Sequence, residues 1–403
     1  IVVTGCYAQR APEELAALPG VAAVVGNSHK ALAPEIVLGL AGVPAAQQTS
    51  HELIRIKAAS AAAQLILADD HFAHSFLEEA QVVPGAQTRP NLKIQEGCSN
   101  RCTFCVIPQT RGHSRSLAPE KILQQVRGFV AAGGKELVFS GINMGRWGRD
   151  LGHTTCEPRT MPALAHTIFD ETDLPRLRLS SIEPMAWSDE LIGAMRKFGS
   201  KRLCRHAHLP LQSGSDAVLR RMHRRYRPWH YAQKVEALLR AAGPELTLGA
   251  DVMVGFPGET DAEFEETMEF VRMLPFGYLH LFPFSPRPGT RGWALHAAEP
   301  VAAGAVGERM AVLRVLAAEK IRTHRMQFVE RALEAITLHT PADLAANGRT
   351  LALTENFLPV ELDGAMSANC LMTILATGLD ANGVLEGSAS TRNSLAAYAA
   401  MAC

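Results

Sequence analysis

The sequence carries no net charge: 40 Lys and Arg balance 40 Asp and Glu across 403 residues. No whole-molecule field draws a nucleic acid, so any basic surface has to be local. No apolar run reaches the ~18 residues of a membrane span, and no signal-peptide pattern is found. Cysteines are few, at positions 6, 98, 102, 105, 156, 204, 370 and 403. They are not paired like a secreted disulfide framework, which points to a reducing, cytoplasmic setting. No internal repeat is evident. What remains is ordinary globular composition, 47% hydrophobic and 20% charged, with length for two or three domains and sizeable cores.

A starting Met is also missing. Residues 1–6, IVVTGC, read as a buried strand running into a Gly turn. A strand with nothing before it to pair with suggests a truncated first α/β domain, residues 1–56; an edge strand on a complete domain is the alternative. Residues 57–89 are Ala-rich, then acidic, and read as a linker. From residue 90 to 330 a rhythm appears. LKIQ (92–95), ELVFSG (136–141), RLRLSS (176–181), HAHLPL (206–211), LGADVMV (248–254) and YLHLFP (278–283) are short apolar or β-branched runs separated by helical patterns. The last helix of the series opens on Thr260 and Glu263, a capping-box pair. Strands alternating with helices imply a parallel sheet with right-handed crossovers. Six units fall short of a full barrel, so the fold expected is α/β, a partial (β/α)6 barrel, with a doubly wound sheet as the alternative. Either way ligands belong at the carboxyl ends of the strands. Residues 335–386 are short strands broken by Asn-Gly and Asp-Gly turns, the pattern of a small β-barrel. The tail, 387–403, reads as disordered.

The stretch EGCSNRCTFCVIP places Cys98, Cys102 and Cys105 at C-x3-C-x2-C, just past the first strand of the rhythm. Three thiols are one short of a structural zinc site and odd in number for disulfides. Thiolates are the usual ligands of iron–sulfur clusters, and three on a four-iron cluster leave one iron open to a small ligand. Zinc with His113 as a fourth ligand is the competing reading, at a spacing that matches no common finger.

This triplet, with Phe104 before the third Cys, resembles the signature of the radical S-adenosylmethionine (SAM) enzymes. The wider stretch LKIQEGCSNRCTFCVIPQTRGHSRS is similar to the methylthiotransferase branch. SGINMGRWGRDLG, RLRLSSIEP, HLPLQSGSDAVLRRMHRRY, DVMVGFPGET and FPFSPRPGT agree with it in order, over most of residues 90–295. The combination most resembles the tRNA N6-threonylcarbamoyladenosine methylthiotransferases. The ribosomal-protein and isopentenyladenosine enzymes resemble GINMGRWGRDL and RGHSRS less. The resemblance implies a 4Fe–4S cluster on Cys98, Cys102 and Cys105, SAM at its open iron, and a 5′-deoxyadenosyl radical that attacks an adenine carbon next to the anticodon. It further implies an electron donor such as flavodoxin or ferredoxin, and a tRNA anticodon stem-loop as partner. The intact family enzyme holds a second cluster in its N-terminal domain, and Cys6 resembles the last of that cluster's three cysteines. Taken alone, Cys6 reads as a packing cysteine.

Residues after the other strands are candidates to hold SAM: Gly141 and Asn143, Ser181 and Glu183, Gln212, and Gly255. Each alone reads equally as a turn or a solvated polar group; their shared position after strand ends carries the expectation. Arg220, Arg221, Arg224 and Arg225 in LRRMHRRYR, with Arg111 and Arg115 near the triplet and Arg146 and Arg149 near the second loop, suit a phosphate backbone. A solvated helix face is the bland reading of such a run. The C-terminal segment TENFLPVEL resembles the RNA-binding TRAM domain. Its charge departs from that role: Arg349 and Arg392 stand against Asp343, Glu355, Glu361, Asp363, Asp380 and Glu386. The alternatives carried are a ribosomal-protein aspartate methylthiotransferase and a non-catalytic, metal-stabilised RNA-binding protein.

Overall fold

The computed structural model describes residues 1–41, 65–72, 87–152, 159–199 and 201–389. Cys156 and positions 390–403 of the expected tail lie outside them. The first unit is a parallel sheet of β1 (Val2–Thr4), β2 (Ala23–Val25) and β3 (Leu65–Leu67), in that order, with Ala33–Leu40 among the helices around it. β3 falls inside the stretch read as linker. Its three residues, LIL, follow a long Ala-rich run and offer no alternation to betray a strand.

The central unit contains the six expected parallel strands: β4 (Asn91–Glu96), β6 (Glu136–Gly141), β7 (Arg176–Leu179), β8 (His206–His208), β9 (Thr247–Val254) and β10 (Phe276–Pro283). β4, β6 and β7 pair in turn, as do β8, β9 and β10. Parallel bridges at Leu177–Leu203 and Ser181–His208 join the two sheets into one arc. A short antiparallel strand missed in the sequence, β5 (Arg115–Ser116), covers the outer edge of β4. The strands alternate in what they bury. Leu92, Ile94, Leu137, Phe139, Leu177, Leu179, Leu248, Ala250, Val252 and Val254 pack with helix residues such as Ile122, Val126, Leu164, Leu238 and Met268 into one core. Several intervening positions are polar and bond to one another between neighbouring strands. Glu136 faces Arg89, Arg176 and Arg178 at 3.2, 3.5 and 2.8 Å. Burial pushes its carboxyl up, but these guanidinium groups more than reverse that and hold it below the ordinary range. His208 and His280 flank Asp251 at 3.2 and 3.3 Å. The capping box at Thr260 and Glu263 forms, starting the helix Asp261–Met273.

β11 (Ala332–Thr337), β12 (Arg349–Thr354), β13 (Pro359–Asp363), β14 (Leu371–Leu379) and β15 (Leu385–Ala389) close into a five-stranded barrel, order β11-β12-β13-β15-β14. β15 runs past residue 387, where the tail was expected to begin. The turn after β12 plugs the amino-terminal end of the central barrel. Phe357 stacks on His206 with centroids 4.4 Å apart and lies beneath the Arg178 guanidinium at 5.2 Å. Glu355 pairs with Arg205, and Asn356 donates to the Glu245 carbonyl at 3.0 Å. Capping one end leaves the carboxyl ends as the accessible face. Among the described residues, no helix is long and apolar enough to cross a membrane.

Candidate active site

β4 ends at Glu96, and Gly97 turns the chain with φ +70°. A Cβ there would collide with the His113 carbonyl, so only glycine fits this turn. The loop that follows is pinned on both sides. The Cys98 N–H donates to the Gly112 carbonyl at 3.0 Å, that of Thr103 to Met222 at 3.1 Å, and that of Gly292 to Thr103 at 2.7 Å. Cys98 is buried, and Cys102 and Cys105 are partly exposed. All three line one opening, together with His113, Gly289 and Arg291. Phe104 packs against the core instead.

The donor set fits a four-iron cluster better than a single ion. Among the described residues, the three sulfurs and His113 do not converge to within 4.8 Å of one another, as a tetrahedral zinc would require. N–H groups surround the sulfurs: the Asn100 amide reaches Cys98 Sγ at 3.4 Å, Asn143 Nδ2 reaches it at 3.5 Å, and Arg224 Nη1 reaches Cys102 Sγ at 3.3 Å. Such bonds tune a thiolate cluster. Burial pushes the Cys102 thiol up against the pull of Arg224, and pushes Cys105 up to about 11. These groups become thiolates on ligating a metal, with release of protons.

Cys102 also borders a second, larger cavity of about 430 Å3, shared with Asn143, Arg146, Arg149, Glu183, Arg224, Arg225 and Tyr226. The wall is built from strand ends. Gln95, at the end of β4, accepts the Asn143 N–H at 2.7 Å and donates to the Gly97 carbonyl at 2.7 Å. Gly141 passes so close that a Cβ there would lie 3.0 Å from Gln95 Cβ. Arg224 is buried and donates to Glu183 at 2.6 Å and to the Tyr226 hydroxyl at 3.2 Å. That hydroxyl bonds the Pro210 carbonyl at 2.7 Å. Gln212, after β8, is buried at φ +65°. Asn143 Oδ1 and Gln212 Oε1 are buried without a hydrogen-bond partner among the described residues. Buried orphan acceptors at strand ends are where a polar ligand is owed.

The structure thus gathers Cys102, Asn143 and Glu183 around one cavity and puts Gly141 behind its wall. Ser181 and Gln212 lie at the neighbouring strand ends. Gly255 is turned elsewhere: its N–H donates to Glu259 at 2.6 Å. The arginines divide. Arg220 pairs with Asp216, Arg221 with Glu263, Arg224 with Glu183 and Arg111 with Glu96. Arg115 donates to the Arg111 carbonyl at 3.0 Å and the His113 carbonyl at 3.2 Å. Arg225 is exposed and forms no ion pair among the described residues. Sequence reasoning missed Gln95 and Tyr226; a Gln ending an apolar strand was the available signal for the first. Cys6 is held near the triplet's helix Ile107–Arg111. Asn27 donates to its sulfur at 3.4 Å and to the Thr110 carbonyl at 2.9 Å. Burial pushes the Cys6 thiol up, but Asn27 and Arg111 leave it below the ordinary thiol range.

The Radical SAM superfamily model matches residues 92–271. Threonylcarbamoyladenosine tRNA methylthiotransferase MtaB of Bacillus subtilis is 34% identical over 364 residues, 90% of this chain and 75% of that protein. The MtaB protein of Aquifex aeolicus is 31% identical, over 93% and 82%. The tRNA-2-methylthio-N(6)-dimethylallyladenosine synthase of Bartonella quintana is 32% identical, over 76% and 65%. The radical SAM enzyme coproporphyrinogen III oxidase of Escherichia coli aligns at TM-score 0.42 and 12% identity, over 82% of this chain and 79% of that one. With the cysteine triplet at the carboxyl end of the first barrel strand and such relatives along nearly its whole length, the chain belongs to the radical SAM methylthiotransferase family.

Proposed function

We propose that this protein methylthiolates N6-threonylcarbamoyladenosine in tRNA, at the adenine C2 next to the anticodon. The observation that carries the reading is the cysteine loop opening onto an arginine-lined cavity at the strand ends, in a chain resembling enzymes named for that nucleoside. Cys98, Cys102 and Cys105 would hold a 4Fe–4S cluster, whose chemistry when bound is one-electron reduction of the SAM sulfonium. Asn143 and Gln212 present the unpaired acceptors that suit the SAM ammonium and ribose. Arg224 fixes Glu183 toward the same space, and the cavity wall keeps bulk water from a reactive carbon radical. Cys6 would be one thiolate ligand of a second cluster, which a single cysteine cannot hold by itself. Arg225, with Arg220 at the exposed end of the same run, supplies phosphate contacts. The C-terminal barrel is read as TRAM-like with little part in RNA affinity, since its acids repel phosphate. A flavodoxin or ferredoxin is the reductant class that suits such chemistry.

The test is mass spectrometry of tRNA nucleosides from cells lacking the gene. Loss of the methylthio form and accumulation of N6-threonylcarbamoyladenosine is the expected result. Unchanged nucleosides, with a methylthio group lost from a ribosomal protein, would transfer the reading to the ribosomal enzyme.

A further inference from the structure

The cavity beside Cys102 holds more positive charge than its own residues balance. Arg101, Arg146, Arg149, Arg224, Arg225 and Arg227 line it, with Glu183 as the carboxylate. Glu183 is taken by Arg224 at 2.6 Å, and Arg227 pairs with Asp216 at 3.1 Å. Arg146, Arg149 and Arg225 form no ion pair among the described residues. SAM adds no net anion, its carboxylate being outweighed by its ammonium and sulfonium. A cluster on the three thiolates would bring negative charge to the floor of the cavity, at Cys102 beside Arg224 and at Cys98, whose charge reaches Arg146. The guanidinium groups toward the rim still have no carboxylate partner among the described residues.

Arg101, exposed at the rim, forms no ion pair either among the described residues, and these guanidinium groups differ in depth. Arg149 and Arg225 are exposed at the rim, while Arg146 ends the turn Met144–Arg146 after β6 and is partly buried. Burial first, then the charges of Arg149 and Arg225, depress the Arg146 pKa, so the three share one field. A base that reacts inside such a cavity has to leave its stack, with its phosphates outside and its N6 substituent carried in with it. Phosphates therefore meet the rim. The only negative charge that enters is one attached to the base.

We propose that Arg146 binds the carboxylate of the threonylcarbamoyl group and so selects this nucleoside over one with a neutral N6 tail, an assignment that rests on the function proposed above. A dimethylallyl tail would desolvate Arg146 and leave it unpaired, which costs binding for the wrong substrate as well as rewarding the right one. Arg149 and Arg225 hold phosphate.

The test measures binding of anticodon stem-loops to the full 403-residue chain, cluster reconstituted and SAM present. The RNAs carry N6-threonylcarbamoyladenosine, its methyl ester, or N6-dimethylallyladenosine. The wild-type protein is expected to prefer the free acid over the ester by about tenfold to a hundredfold, the range of a charge-assisted hydrogen bond. Arg146→Met should bring that ratio to about one while leaving affinity for the ester and the salt dependence unchanged; Arg146→Lys should keep part of the preference. Equal loss for acid and ester, with a shallower salt slope, would mean a phosphate contact and overturn the proposal. So would a preference that survives Arg146→Met. A wild-type protein that favours the dimethylallyl RNA would overturn the substrate reading itself, an outcome separable from the other two.

Discussion

Arg224 ties three groups together: Glu183, the Tyr226 hydroxyl and Cys102 Sγ. A lysine cannot reproduce that fork. Arg224→Lys and Arg224→Ala should both lose SAM-dependent 5′-deoxyadenosine formation, and Arg224→Ala should cost about 2 kcal/mol in urea unfolding through the unpaired Glu183. Because its charge is spent inward, neither should flatten the salt dependence of tRNA binding, whereas Arg225→Ala should flatten it by about one log–log unit. Equal flattening by Arg224→Ala and Arg225→Ala would contradict this division. The sequence presented LRRMHRRYR as one basic run; Asp216, four residues before Arg220, was the local sign of one partner, but the acids that claim Arg224 and Arg221, Glu183 and Glu263, lie 41 and 42 residues away. The triplet was legible because its ligands are local; Gln95 and Tyr226 work through contacts that only the folded barrel creates.

Among the elements, the helix Ala303–Met326 carries a buried histidine whose protonation is linked to folding. His324 bonds Thr247 Oγ1 at 2.9 Å, close against Gly277 of β10. Burial, then Arg325, lowers its pKa to about 4. With a folded pKa below the unfolded one, its stability contribution is full above about pH 6.5 and is lost as pH falls from there toward 4. His206, also buried and depressed, acts in the same direction. His324→Gln should flatten the stability-against-pH curve between those limits by on the order of 2 kcal/mol, read from urea midpoints at several pH values. A wild-type curve with no slope there, or a variant curve unchanged from wild type, would contradict the assignment. The barrel strands were readable as short apolar runs between helical patterns. β3 and β5 were not, because three-residue and two-residue strands owe their pairing to neighbours rather than to any pattern of their own.

At the scale of the whole molecule, the C-terminal barrel is fastened to the central one by the turn Thr354–Phe357. Glu355 reaches Arg205, and Arg178 donates to the Thr354 carbonyl at 3.1 Å. Composition gave this barrel an acidic surplus without saying where the acids point. Glu355 faces inward to Arg205, and Glu361, Asp363 and Glu386 gather around Arg349. Phe357→Ala should cost about 2–3 kcal/mol, less than a fully buried Phe because this one is half-buried. It should also let a protease cut between the two barrels faster, as followed by gel; an unchanged cleavage rate would show that the plug does not fasten them.

The central claim is that the triplet performs radical SAM chemistry on a tRNA substrate. Its most direct measurement is 5′-deoxyadenosine, quantified by mass spectrometry after anaerobic reconstitution with iron, sulfide, dithionite and SAM. The wild-type chain should form it in the presence of dithionite, and Cys98→Ala, Cys102→Ala and Cys105→Ala should each form none. Undiminished 5′-deoxyadenosine from the Cys102→Ala protein, or none from a wild-type chain that has bound its iron, would contradict the account.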